Sequence, residues 1–422
     1  MSFWYTDVQD HTGAWYWIGI AITLAQGIGI HRCTSVRTQG NQALSDDRQY
    51  IKRRLWWTCV VRDRWLSLAK GRPMRIHDED CDAIPPGVSD ILLELREISP
   101  EARQRFIPSN EDQLAPMWVR LVGISSVLGR ILRAHYRLNG PKPSVENVDE
   151  LFATLCEYQS SRTPGSYDIN DTVLLHEYHL ELFYQASMTV LCRPYLLNAP
   201  ASLPEGSSRT WQKMMQGKAR SAASLTNGIL EKVIELDAVK HIKPMIITSL
   251  VPAMQVHLFD CKSTNSIQAS LGRNKLQVCM LVLENLRNTY WSAGVMYRLF
   301  DRAQFILANR AKNSSGLSAV RKNEISSHLV SHNVTDPADG DRNGVNIGAS
   351  NFANFTPDNS EFSFYSEDLP ATGSADFTAD FGTLEQLLNP GFSLPDVQSQ
   401  IFFTDYTIDT TAGDLPLDMH NI

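Results

Sequence analysis

The stretch from Arg53 to Asp82, RRLWWTCVVRDRWLSLAKGRPMRIHDEDCD, constrains the fold more than any other part of the chain. Its first half reads as a helix. Ser45 is a favourable N-cap, and Asp46 and Asp47 place negative charge at the positive end of the helix dipole. Ile51, Leu55, Cys59 and Leu66 recur near a 3.6-residue period, and Trp57, Val61, Trp65 and Leu68 form a second apolar row beside them. Two adjacent rows predict a helix packed on more than one side. Gly71 ends it, and Pro73 keeps it from resuming. Arg62, Asp63 and Arg64 fall within the apolar rows, where an isolated ion would cost several kcal/mol. They must therefore be paired. The pairing reads either as an internal salt bridge that fixes how the helix meets its neighbours or as a ligand-binding cluster.

The same stretch carries Arg54-Leu55-Trp56-Trp57, then Asp63-Arg64, Gly71-Arg72-Pro73 and Asp78-Glu79-Asp80-Cys81-Asp82. In that order these pieces resemble the core of the fungal-specific transcription factor domain. This is the middle homology region of fungal zinc-cluster (Zn2Cys6) regulators, and the cutinase and acetamidase regulators are the nearest type. The resemblance implies that Arg54, Trp56, Trp57, Asp63, Arg64, Gly71, Arg72, Pro73, Asp80 and Asp82 form a structural motif, with Arg54, Asp63, Arg64 and Arg72 at its heart. Further similarity lies in Gly29-Ile30-His31-Arg32, in Cys192-Arg193-Pro194-Tyr195-Leu196 (Cys standing for the family's His), and in Trp291, Ala293 and Leu299. It covers Ala14 to Arg310. Family members usually have a further helical portion before this point, so the chain is expected to begin inside the domain.

The residues around this motif predict helices throughout. Ala14 to Ile30 carries no charge, but Thr23, Gln26 and three glycines favour a buried core helix over a membrane span. A short helix is expected at Ile91 to Arg96, and a long one from Met117 to Arg137 that ends at Gly140-Pro141-Lys142-Pro143. Ser144 caps the next, with Leu151, Phe152, Leu155 and Tyr158 at helical spacing. Asp171 or Thr172 opens another that runs through Leu197, with Pro194 near its end. After a loop from Ala199 to Ser208, helices are expected at Arg209 to Asp237, Lys243 to Phe259 and Ser270 to Asn309. No strand-like alternation competes, so the body is predicted to be all-α.

Charge divides the chain of 422 residues unevenly. All 39 Lys and Arg precede Asn351, whereas 12 of the 46 Asp and Glu follow it. The body is mildly basic, too dilutely to mark a nucleic-acid surface, and the end is acidic. Residues 1–310 are read as the regulatory domain, 311–350 as a disordered linker rich in Asn, Ser, Gly and Asp, and 351–422 as a disordered acidic-aromatic tail. In that tail the carboxylates keep aromatic side chains solvated. Phe362, Phe364, Tyr365, Phe402, Phe403 and Tyr406 are the candidate anchors for coactivator grooves. A plain disordered tail is the alternative.

Catalytic and metal motifs are not evident. The seven cysteines (Cys33, Cys59, Cys81, Cys156, Cys192, Cys261 and Cys279) are scattered without a CxxC pair, which reads as buried thiols in a reducing compartment. They cannot supply a zinc cluster, so zinc is expected only in a DNA-binding module outside this chain. His176 and His179 lack a third ligand and read as surface or satisfied core histidines. His77, Asp78, Asp80 and Cys81 mix hard and soft ligands and read as a polar loop. Gly27-Ile28-Gly29 lacks the third glycine of a dinucleotide fingerprint.

No cofactor, enzymatic activity or membrane association is expected. The resemblance implies a nuclear regulatory and activating portion of a transcription factor for RNA polymerase II genes. Its partners would be coactivators, promoter DNA reached through a missing module or partner, and a zinc-cluster regulator in a homo- or heterodimer. A DNA-binding-deficient modulator that partners or sequesters a full-length regulator, and a helical small-molecule-responsive protein, are the other readings.

Overall fold

In a computed structural model, the described residues are 13–33, 49–96, 98–137, 139–159, 171–200 and 203–309. Ser45, Asp46, Asp47, the linker 311–350, the tail 351–422 and its six candidate anchors lie outside them. Among the described residues the architecture is helical without strands. Helix α1 spans Gly13–Gly27, α2 Gln49–Lys70, α3 Val88–Arg96, α4 Pro100–Phe106 and α5 Glu111–His135. Then come α6 (Val145–Cys156), α7 (Asp171–Cys192), α8 (Glu205–Glu235), α9 (Pro244–Asp260) and α10 (Ser266–Leu286). A further helix, α11, begins at residue 291.

Helix α7 is the centre of the bundle and packs against α5, α6, α8 and α9. Fourteen of its residues are buried, eleven of them in an unbroken run from Leu182 to Cys192 at its end. A helix apolar on all sides belongs in the interior. Its buried hydroxyls are satisfied locally: Ser187 donates to the Phe183 carbonyl at 3.0 Å and Thr189 to the Gln185 carbonyl at 2.8 Å. Helix α2 packs on α1, α3, α5 and α9. The three-helix junction of α2, α5 and α7 is pinned by Trp65, which is almost fully buried. Its ring meets Phe183 at 4.6 Å, and its indole N–H donates to Ser125 Oγ at 3.0 Å.

Several boundaries differ from the periodicity reading, each for a local reason. Helix α5 starts at Glu111 and runs through Pro116, which removes one backbone hydrogen bond in its second turn. Helix α4 is short, but Ser99 accepts from the Ala102 N–H and Pro100 occupies the first helical position. Helix α8 begins at Glu205, inside the expected loop. The expected helix from Ser270 to Asn309 is two helices. The first ends where the Thr289 and Tyr290 N–H groups both turn back to the Leu286 carbonyl. Ser144 forms the expected N-cap, reinforced by Asn147 in a capping box.

Of the two apolar rows expected on α2, Val61, Trp65 and Leu66 are buried as expected, and the other positions are not. Leu55 is exposed, Ile51, Cys59 and Leu68 are half-buried, and the buried row runs through Trp56, Val60, Asp63, Arg64 and Ser67. Periodicity in hydrophobic residues misses this row because its second half is polar.

Candidate functional site

The residues from Gly71 to Asp90 form a strap that returns over α1 and α2. Gly71 has φ +57° and ends α2 in the left-handed region, and the Arg72 N–H reaches back to the Ser67 carbonyl at 3.2 Å. This six-residue closure turns the chain sharply back on the helix. The strap then meets Asp63, which is completely buried. Its carboxylate accepts from the Arg75 N–H at 3.1 Å, the Ile76 N–H at 3.1 Å and Arg64 Nη1 at 3.0 Å. Arg64, also buried, donates from Nη1 to the Ile76 carbonyl at 2.6 Å and from Nη2 to Asp78 at 2.7 Å. One acid and one base at consecutive positions of α2 thus bind the backbone of residues 75–76 as an edge strand would. Asp78 leads the buried charge out toward water. Burial pushes the Asp63 carboxyl above the usual carboxylate range, against the pull of the two N–H donors and of Arg64 and Arg75.

Further ties hold the strap along its length. Asp82 accepts from the Cys33 N–H at 2.6 Å and from Arg32 Nε at 3.1 Å, and the Asp82 and Ala83 N–H groups donate to the His31 carbonyl. Trp57 donates its indole N–H to the Ile84 carbonyl at 3.0 Å, and Trp56 is buried among Ile18, Ile22, Val60 and Ile76. Asp90 accepts from the Gly87 N–H at 2.7 Å, the return half of a capping box, and pairs with Arg53 at 3.0 Å.

The ten motif residues therefore divide. Trp56, Asp63 and Arg64 are in the interior, Trp57 and Arg54 are half-buried, and Gly71, Arg72, Pro73, Asp80 and Asp82 are at the surface. The expectation that Arg72 sits at the heart of the domain is corrected. Arg72 is exposed, and the inward role falls to Arg75. Its guanidinium lies 3.7 Å over the Trp15 ring while its backbone N–H serves Asp63. Arg75 gave no separate signal in the sequence beyond its distance from Pro73. Gly129 was also missed. A Cβ there would lie 2.4 Å from Arg64 Nε, so glycine on α5 is what lets Arg64 pass.

Residues 1–162 match the fungal specific transcription factor domain, which contains the whole strap and its clasp. The chain carries this fungal domain. The chain is similar to Cutinase transcription factor 1 beta of Fusarium vanettenii, at 25% identity over 343 residues, 72% of this chain and 38% of that protein. It is also similar to the Acetamidase regulatory protein of Emericella nidulans, at 38% identity over 90 residues, 21% of this chain and 11% of that protein. A transcriptional regulatory protein of Schizosaccharomyces pombe matches at 24% identity over 203 residues, 47% of this chain and 24% of that protein. The chain thus spans well under half the length of these relatives. No solved structure matches it.

A second polar cluster joins the fungal domain to the helices that follow. Arg193, in the 3-10 turn Arg193–Leu196 after α7, is buried and donates to Gln255 of α9 and, at 3.0 Å, to the Tyr136 hydroxyl. Tyr136 in turn donates to the Val190 carbonyl at 2.9 Å. Burial raises the Tyr136 hydroxyl above its ordinary range, with Arg193 opposing. The Cys-Arg-Pro-Tyr-Leu element is therefore a structural node of α5, α7 and α9.

The expected polar and thiol groups carry no evident chemistry. The seven cysteines are all free, but only Cys192 and Cys279 are the buried thiols expected; Cys59, Cys81, Cys156 and Cys261 are half-buried and Cys33 is exposed. Burial pushes the Cys59 and Cys81 thiols up to about 11 and Cys192 and Cys279 up to about 12, which leaves them protonated and unreactive. Among the described residues no group of three or more His, Cys, Asp or Glu is placed to hold a metal. His179 is buried beside His176, with ring centres 6.1 Å apart. It is not the satisfied core histidine expected, since neither ring nitrogen finds a hydrogen bond, and burial lowers its pKa to about 3.

Proposed function

We propose that this chain is the regulatory and activating portion of a fungal transcription factor acting on RNA polymerase II genes in the nucleus. The observation that carries the reading is the buried Asp63–Arg64 clasp on the strap, in a domain that matches fungal transcription factors over residues 1–162. Similarity to Cutinase transcription factor 1 beta continues well past that domain, over 72% of the chain. The buried acids and bases described above bind backbone and each other, so they shape a scaffold for binding. The chain acts by binding, without catalysis.

In this reading the helical body restrains or licenses the segment 351–422. That segment engages coactivators through Phe362, Phe364, Tyr365, Phe402, Phe403 and Tyr406. Promoter DNA is reached through a zinc-cluster module that is not among these residues, or through a partner regulator in a homo- or heterodimer. Tethering tests it. Fused to an unrelated DNA-binding domain, the chain should change transcription of a reporter that carries the matching site. A reporter left unchanged in both directions would contradict the proposal.

A further inference from the structure

The strap's first turn forms one rim of a cavity of about 690 Å³. Its walls come from the end of α2 and the Gly71-Arg72-Pro73 turn, from the end of α5, from Arg193, and from the middle of α9. That volume lies within the range of small-molecule sites. Its lining is chemically lopsided. Arg72, Arg133, Arg137 and Arg193 all contribute, together with His77, and among the described residues no Asp or Glu lines it. Arg193 is buried and marks the floor, held in place by Gln255 and Tyr136. Arg72 and Arg137 are exposed and mark the mouth. Arg133 pairs with Glu79 of the neighbouring loop, which fixes its position. The remaining wall is largely apolar, through Leu68, Met74, Leu132, Val251 and Pro252.

We infer that this cavity binds a small organic acid, with its carboxylate among the arginines and an apolar body against the aliphatic wall. Four guanidinium groups around one cavity without a lining carboxylate favour an anion, because guanidinium forks match carboxylate and phosphate oxygens. The apolar wall selects between those anions. A sugar phosphate or nucleotide would set most of its hydroxyl groups against Leu68, Met74, Leu132, Val251 and Pro252, with only Ser67, Asn139 and Thr248 as further polar partners in the wall, whereas an apolar carboxylic acid matches that wall. The occupant would touch the Gly-Arg-Pro turn of the fungal domain, the Arg193 node and α9 at once. In the proposed regulator, such a ligand would couple the domain's motif to the helices that lead toward the C-terminal segment. The binding itself does not depend on that regulatory reading.

Calorimetric titration of the full chain tests the inference, with naphthalene-2-carboxylate as probe, its neutral amide as isostere and 2-naphthyl phosphate as the competing anion. The carboxylate should bind at least tenfold more tightly than the amide, about 1.4 kcal/mol, and more tightly than the phosphate. Arg72→Gln and Arg137→Gln change exposed side chains at the mouth and should leave the helical signal intact, yet each should weaken carboxylate binding severalfold. Arg105→Gln, on the exposed side of α4, should not. No binding of the carboxylate, equal binding of acid and amide, preference for the phosphate, or indifference to both mouth substitutions would each overturn the assignment. None of these measurements involves a promoter, so failure here and failure of the tethering experiment are separate results.

Discussion

Asp63→Ala removes the centre of the clasp, and its cost can be worked from the contacts. The wild-type carboxylate takes the N–H groups of Arg75 and Ile76 and one donor of Arg64, all at a site sealed from water. Alanine leaves both N–H groups without an acceptor, at about 1–3 kcal/mol each. Arg64 fares better, since the Ile76 carbonyl and Asp78 still hold its guanidinium. Breaking a buried pair typically costs about 3–5 kcal/mol, and the two orphaned donors alone account for most of that. The expected loss is therefore about 3–5 kcal/mol. Asp63→Asn keeps one oxygen for the strap and should lose about half as much. Asp82→Ala, at the surface, should lose less than about 1 kcal/mol. Urea denaturation followed by far-ultraviolet circular dichroism and by tryptophan fluorescence reads all three variants. Coincident transitions justify the free-energy comparison. A midpoint for Asp63→Ala equal to wild type would refute the argument that the clasp holds the strap.

Three further outcomes follow from the same contacts. Gly129→Ala should destabilise by about 1–3 kcal/mol, because the added methyl meets Arg64 Nε at 2.4 Å; a neutral result in the same denaturation assay would mean that Arg64 has room to move. Burial lowers the pKa of His179 to about 3 and of His135 and His257 to about 4, so below the ordinary histidine range the unfolded chain binds protons that the folded chain refuses. Stability should then fall as pH drops from about 6 toward 4, by up to about 1.4 kcal/mol per pH unit for each histidine, and His179→Leu should flatten that slope; an unchanged slope would show that His179 protonates without cost. The isolated chain should bind duplex DNA weakly and without sequence preference, and nanomolar binding that survives added salt in an anisotropy titration would reveal an unrecognised reading surface.

The sequence made the helical class and the position of the strap readable because helix periodicity, the Ser144 cap and the Gly71 stop are all local signals. The pairing of Asp63 followed from its place in an apolar run, since a charge there has no other stable state. Its partners did not follow. Two of them are backbone N–H groups of Arg75 and Ile76, which no side-chain pattern marks. Part of the buried face of α2 escaped the periodicity for a related reason, because it continues through Asp63, Arg64 and Ser67 beside the expected Val61, Trp65 and Leu66. Arg72 drew attention through its motif and reaches the Trp15 ring only at 5.5 Å, whereas Arg75 lies 3.7 Å over it. The arginine-lined cavity was unreadable, since its walls come from four separate stretches that only the tertiary fold brings together. Asp90 was legible in principle, as an acid three residues into a helix that starts after Gly87.

The central claim, that this chain activates transcription through its acidic-aromatic segment, is met most directly by one measurement. Residues 351–422 are fused to an unrelated DNA-binding domain, and reporter output is compared with that of the same fusion in which Phe362, Phe364, Tyr365, Phe402, Phe403 and Tyr406 are all alanine. The account predicts activation by the first and loss of most of it in the second, at equal protein levels, while shuffled acid positions change little. Equal output from the aromatic and alanine fusions would contradict it.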